Sequence, residues 1–180
     1  RLYTPWKNSI SEPWEQWLWI INEFTASLAK LFNAKQSEFC PQVNLSSGLT
    51  KILMSLDQAQ SKNCVILVSE IDFPGMGFAL QKSLPEDCEI RFIPSNVDIT
   101  NARVWDEYLT KDVDLVFVSH AYSNTGQLSP ISQVLSMARA RNIISILDIA
   151  QSVGIVPIDL KALNPDFMIG SSVKWLCGGP

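Results

Sequence analysis

Between residues 11 and 33 apolar side chains recur at intervals of three and four, and Trp14, Trp17, Leu18, Ile21, Phe24, Leu28 and Leu31 fall on one helical face. Ser11 is placed to cap this helix, and Pro13 lies in its first turn. A second helix is predicted to begin near Ser46, Ser47 and Gly48 and to bury Leu49, Ile52, Leu53 and Leu56. The pattern then changes to short, nearly unbroken apolar runs at 65–68, 90–93, 115–118, 143–147 and 167–169. Strands covered on both faces require such runs. Helix-compatible stretches near 76–84, 103–111 and 129–142 separate them. In the last, Ser129 is read as the cap, Pro130 as the first helical residue, and Ile131, Val134, Leu135 and Ala138 as one buried face. The alternation predicts an α/β fold of mostly parallel strands with right-handed crossovers.

Composition narrows the function classes. The 180 residues, 47% of them apolar, suit one sizeable core. A net charge of -4 supplies no basic field for a nucleic acid backbone. Four of the six tryptophans, Trp6, Trp14, Trp17 and Trp19, lie in or beside the first helix, where packing, including packing against another subunit or an absent domain, is preferred to ligand binding. The four cysteines, Cys40, Cys64, Cys88 and Cys177, show no zinc or dithiol spacing and suit a reducing, cytoplasmic setting. No apolar run approaches the roughly 18 to 20 residues of a membrane span, and no signal-peptide core is present. A chain running from Arg1 to a stop directly after a strand and turn reads as a fragment, so 1–40 is expected to be an N-terminal helical segment and 41–180 an incomplete large domain.

In parallel sheets ligands bind beyond the carboxyl ends of the strands, which makes the polar residues there the candidates. They are 70–74, 119–126, 148–151 and 171–174, and none carries a Gly-x-Gly-x-x-Gly or Walker loop. Lys174 follows the last apolar run. Apolar surroundings favour the neutral amine, the form that attacks an aldehyde, although a lysine can also extend its charge to solvent. Asp148 ends the run at 143–147, and a carboxylate at a buried strand end needs a cationic or hydrogen-bonding partner, such as a protonated pyridine nitrogen or a following turn. Ser46, Ser47 and Gly48, at a helix start, offer amides and hydroxyls to a phosphate or serve only as a cap. Phe73, ahead of Pro74, could present its ring to a flat ligand or pack in the core. Ser171 and Ser172 could place a hydroxyl near the lysine. His120, the only histidine, rules out a histidine-cluster metal site, and without a nucleophile elbow a hydrolase triad has no support. It is either structural or part of the site lining.

The segments Leu147 to Leu160, Ser119 to Gly126 and Pro165 to Pro180 resemble the class V aminotransferase family of fold-type I pyridoxal-phosphate enzymes, which includes cysteine desulfurases and kynureninases. The resemblance spans roughly residues 40 to 180. It implies a three-layer large domain with a seven-stranded, mostly parallel sheet, a homodimer, an amino-acid substrate, and a small domain supplied by further sequence. It further implies pyridoxal 5'-phosphate held by Lys174 through a Schiff base, with Lys174 also moving the proton at the substrate's α-carbon. Asp148 would pair with the ring nitrogen, Gln151 would contact the phenolic oxygen, and Phe73 would stack on the ring. Ser47, Gly48 and Ser172 would contact the phosphate, and Asn124 or Ser123 the ring or substrate.

Trp175 to Pro180 and Phe73-Pro74 resemble kynureninase. Gln151, Val173 and Met76 depart from its pattern, and Gln151 suits aminotransferases and desulfurases instead. The expected activity is aminotransferase-like, with kynureninase-like lyase or cysteine desulfurase as alternatives and a non-catalytic α/β interaction domain as the competing class.

Overall fold

The computed structural model describes Lys7 and residues 13–178; the readings placed on Trp6, Ser11, Gly179 and Pro180 lie outside the described residues. The chain forms two compact units, Arg1–Pro41 with Ile158–Ala162, and Gln42–Pro157 with Leu163–Pro180.

The first unit is built on helix α1 (Trp14–Phe32) and a 3-10 turn at Gln36–Glu38. Pro13 takes the N-cap position, where its carbonyl accepts the amides of Gln16 and Trp17 at 3.1 Å. Asn33 ends the helix in the left-handed region at φ 54°, a conformation asparagine tolerates better than most residues. Phe32 stacks on Phe39 at 5.9 Å, and the Asn33 amide donates to Asp159 at 3.0 Å. The predicted apolar face is not packed away: only Thr25 and Phe32 are buried in α1, while Trp14, Leu18, Ile21, Phe24 and Leu31 are exposed.

The second unit holds the sheet. Its strands are β1 (Val65–Ser69), β2 (Glu89–Ile93), β3 (Leu115–Ser119), β4 (Ile144–Asp148) and β5 (Phe167–Ile169). Helices α2 (Leu45–Ser55), α3 (Pro74–Ser83), α4 (Ala102–Tyr108) and α5 (Ile131–Ala140) belong to it as well; a short α6 (Leu160–Leu163), which the apolar pattern does not predict, follows β4 in the chain and lies mostly in the first unit. All strand pairs are parallel, in the order β2-β1-β3-β4-β5. Among the described residues the sheet has five strands, where the resemblance implied seven. No described helix is long and apolar enough to cross a membrane.

Alternation along each strand sorts the core into two faces. Ile66, Val68, Leu115, Phe117, Ile146 and Ile169 pack with Leu49 and Leu53 of α2 and Met76 and Leu80 of α3. Leu67, Val116, Val118 and Leu147 alternate to the other face, where α5 packs against β4 and α4 against α5. Their buried side chains include Trp105, Val134, Leu135 and Ala138.

Two helix starts differ from expectation by one residue. α2 begins at Leu45 because Asn44, not a serine, caps it, its Oδ1 accepting the Ser47 amide at 2.8 Å. α5 begins at Ile131 with Pro130 at the N-cap position, so Ser129 stands one residue further out. Cys64 and Cys88, unrelated by sequence spacing, meet with their sulfurs 2.9 Å apart, because β1 and β2 pair in register from Val65 and Glu89.

Candidate active site

The strands end in polar residues that are nevertheless buried: Ser69 on β1, Ser119 on β3 and Asp148 on β4. Beyond the last two opens a cavity of about 250 Å³. Asn44, Leu45 and Ser46 from the start of α2 line it, as do Phe73 and Met76 from the start of α3. Ala121, Tyr122 and Ser123 after β3, Ala150 and Gln151 after β4, and Lys174 complete the wall. Two helix N-termini therefore face two strand carboxyl ends, an arrangement suited to an anionic ligand.

Asp148 is 8% exposed, and its Oδ1 accepts the Ala150 amide at 2.8 Å. Burial pushes its pKa up to about 6, opposed by the Ala150 hydrogen bond and the Lys174 charge. This carboxylate has spare acceptor capacity and faces a cavity.

Lys174 follows the last strand as expected, but it is exposed rather than held in apolar surroundings. β5 stops at Ile169, and the lysine lies on the turn that follows. A close backbone contact steadies that turn: Gly154, at φ 87°, lies where a Cβ would come 3.3 Å from the Trp175 backbone and 3.0 Å from the Leu176 side chain. The Lys174 amine stands 5.9 Å from the centroid of the Phe73 ring, within cation-π range. Phe73 itself is 54% exposed, so core packing does not account for it. Its extended backbone (φ -61°, ψ 126°) is what the following Pro74 imposes, and this places the ring at the α3 start.

The other expected residues divide. Gln151 and Ser123 line the cavity, whereas Asn124 is exposed in the adjacent turn and does not. Ser46 lines it, while Ser47 and Gly48 lie one and two residues deeper into α2. Ser171 and Ser172 are outside the lining; the Ser172 carbonyl accepts the Gly178 amide at 2.8 Å and closes the turn that carries Lys174. His120 is buried and its Nδ1 has no hydrogen-bond partner, with burial lowering its pKa and favouring the neutral ring. It is not among the lining residues.

Sequence reasoning did not single out a second carboxyl group, Asp72, which bonds to the lining residue Ser119 without lining the cavity itself. Asp72 accepts the Ser119 hydroxyl at 2.6 Å through one oxygen and the Ser69 amide at 2.8 Å through the other. Burial raises its pKa to about 6 against those two hydrogen bonds, with the Asp148 charge adding to the rise. Tyr122 was also missed. It is buried, takes a 3.2 Å hydrogen bond from Ser129, and has a phenol pushed up by burial and by the Asp72 charge. The rule that ligands sit beyond strand ends already pointed to Ser119 and to the segment 70–74, and applying it to every polar residue there finds Asp72 as well. Among the described residues no group of three or more histidine, cysteine, aspartate or glutamate side chains could hold a metal ion.

Comparison with known proteins agrees with this geometry. Kynureninase from Shouchella clausii (strain KSM-K16) is 24% identical over 185 residues, covering 97% of this chain and 43% of that protein. Kynureninase from Burkholderia mallei (strain SAVP1) is 25% identical over 184 residues, with the same coverage. Among solved structures, the cystine C-S lyase C-DES in complex with its product cysteine persulfide superposes with a TM-score of 0.84 at 25% identity, over 94% of this chain and 46% of that one. The apo cysteine desulfurase from Thermococcus onnurineus NA1 shares the fold with a TM-score of 0.78 at 20% identity, over 95% and 43%. The chain thus spans less than half the length of these relatives. The profile of the family described as aminotransferase class-V matches residues 2–180. With strand order, cavity and profile in agreement, the chain belongs to the class V aminotransferase family of fold-type I pyridoxal-phosphate enzymes.

Proposed function

We propose that the protein is a pyridoxal-phosphate-dependent lyase that removes a substituent from the β-carbon of an amino-acid substrate. The observation that carries this reading is the convergence of a buried carboxylate, Asp148, a free-standing amine, Lys174, and an exposed ring, Phe73, on one cavity beneath two helix N-termini. These residues fit the cofactor: the carboxylate suits a protonated ring nitrogen, the amine an aldehyde, and the α2 start a phosphate. When bound, pyridoxal phosphate supplies that aldehyde and a ring that draws electron density from the substrate's α-carbon.

Lys174 would hold the cofactor through its amine and, once released, would move the proton at the α-carbon. Asp148 would pair with the ring nitrogen and keep it protonated, and Phe73 would stack on the ring. Gln151 would contact the phenolic oxygen, Ser47, Gly48 and Ser172 the phosphate, and Ser123 or Asn124 the ring or substrate. The seven-stranded sheet, the homodimer and a small domain belong to the same proposal for the longer protein.

Lyase chemistry is preferred to the aminotransferase activity first expected, because the relatives named above are kynureninases, a C-S lyase and a cysteine desulfurase, none of them an aminotransferase. A carbon-carbon lyase is favoured by the kynureninases and by the resemblance of Phe73-Pro74 to them; a carbon-sulfur lyase is favoured by the likeness to C-DES. Incubating the full-length protein and cofactor with kynurenine or cystine separates them. Anthranilate from the first or persulfide from the second supports the lyase reading, and keto-acid formation from a panel of amino acids without either product contradicts it.

A further inference from the structure

Away from the cavity, at the opposite ends of the strands, two thiols meet that the reading above does not use. Cys64 and Cys88 immediately precede β1 and β2, and their sulfurs are 2.9 Å apart. The pairing of Val65 with Glu89 continues back to them, since the Glu89 amide donates to the Cys64 carbonyl at 2.8 Å. Adjacent strands lie about 4.8 Å apart, inside the Cα separation of about 4.4 to 6.8 Å that a disulfide spans. A bond of about 2.05 Å requires the sulfurs to close by less than about 1 Å. Neither residue is inside its strand, so small backbone adjustments do not break the ladder.

The two thiols differ in access. Cys64 is 1% exposed, whereas Cys88 is partly open to solvent. Burial is the main cause raising the pKa of both; the contact between them raises Cys64 further and draws Cys88 back down, and the carboxylates of Asp87 and Asp114, with Glu89 also acting on Cys88, raise both. Oxidation therefore begins at the thiol a small reagent can reach, and the buried one, already in contact, completes it.

We propose that Cys64 and Cys88 form an oxidative modification site at which a hydroperoxide converts the pair to a disulfide. Cys88, the partly exposed thiol, loses its proton to solvent and attacks the peroxide as the thiolate; the O–O bond breaks, and Cys88 sulfenic acid and one water (or alcohol), which takes up a proton, are formed. The Cys64 sulfur then displaces hydroxide from that sulfenic acid, which leaves as a second water with the Cys64 proton. The dithiol loses two electrons and two protons, and the peroxide is reduced by the same two electrons. The bond closes the segment from 64 to 88, which contains Asp72, Phe73 and α3, so the oxidised chain has fewer unfolded conformations to lose.

The test uses the full-length protein, reduced, treated with hydrogen peroxide, blocked with N-ethylmaleimide under denaturing conditions and digested without reductant. Mass spectrometry is expected to find the Cys64 and Cys88 peptides joined, two hydrogens lighter than their sum, and separated again by dithiothreitol. In Cys64→Ser the link disappears and dimedone traps Cys88 as the sulfenic acid; in Cys88→Ser the exposed Cys40 and Cys177 oxidise as in the wild type while Cys64 stays a thiol. Recovery of both as unlinked maleimide adducts, while Cys40 and Cys177 are oxidised, overturns the proposal. So does Cys88 that proceeds to sulfinic acid with Cys64 present.

Discussion

Ser119 donates its hydroxyl to Asp72 across 2.6 Å, and the same serine is the register partner of Asp148 on the neighbouring strand. Burial raises the pKa of both carboxyl groups, the buried Asp148 and the partly exposed Asp72, to about 6. Because each folded-state value lies above the ordinary 3.8, the folded chain binds more protons than the unfolded chain between about pH 4 and 6. The stability this confers is present below about pH 4 and lost as the pH rises through about 6. Asp72→Asn keeps the acceptor for Ser69 and removes the titration. Chemical denaturation should show the variant more stable than wild type at pH 7.5, by up to about 3 kcal/mol, with a flatter profile between pH 4 and 6. A variant less stable at pH 7.5 and more stable at pH 4 would mean that Asp72 is bound as a well-compensated anion.

Asp148 should make cofactor affinity depend on pH. Its ionised form pairs with a protonated ring nitrogen, so binding of pyridoxal phosphate weakens as the pH falls from 7.5 to 5 and the carboxylate takes up a proton. Asp148→Ala removes a charge-assisted hydrogen bond worth about 1.5 to 3 kcal/mol, or roughly ten- to a hundredfold in affinity. Titration of the full-length protein followed by absorbance measures both effects. Equal affinity at the two pH values in the wild type would separate Asp148 from the ring nitrogen.

Phe73 is exposed, so its replacement tests ring stacking with little disturbance of the core. Phe73→Leu should weaken cofactor binding by about 0.5 to 1.5 kcal/mol, roughly two- to tenfold, with an unchanged melting temperature. A loss of stability without loss of affinity would make the ring a packing element.

Asn44 caps α2 through the Ser47 amide and also lines the cavity. Asn44→Ala should cost about 1 kcal/mol of stability, read by chemical denaturation of the apoprotein, and should weaken phosphate competition for the site. Asn44→Ser, which can restore the cap, should recover the stability.

The strands were legible because central parallel strands are covered on both faces and leave unbroken apolar runs, as at Leu115–Ser119. Asp148 stood out for the same reason, as a charge closing such a run. Features set by distant parts of the chain were not legible. The hydrogen bond that Asp72 accepts comes from Ser119, 47 positions away, and the meeting of Cys64 with Cys88 depends on the β1–β2 register. The strand ahead of Lys174 was legible at 167–169, but the apolar surroundings expected for the lysine were not: the turn beyond β5 leaves its side chain exposed where it lines the cavity. The apolar spacing of α1 correctly marked a helix and a face, yet Trp14, Leu18 and Ile21 are exposed, since periodicity records a face without naming what covers it.

The most direct test of the central claim is reductive trapping. The full-length protein is incubated with pyridoxal phosphate, reduced with borohydride, digested and mapped by mass spectrometry. A phosphopyridoxyl group confined to the peptide carrying Lys174, and absent from Lys174→Ala, is the predicted result. An unmodified Lys174 in folded, cofactor-saturated protein, or modification spread over the exposed lysines, would contradict it.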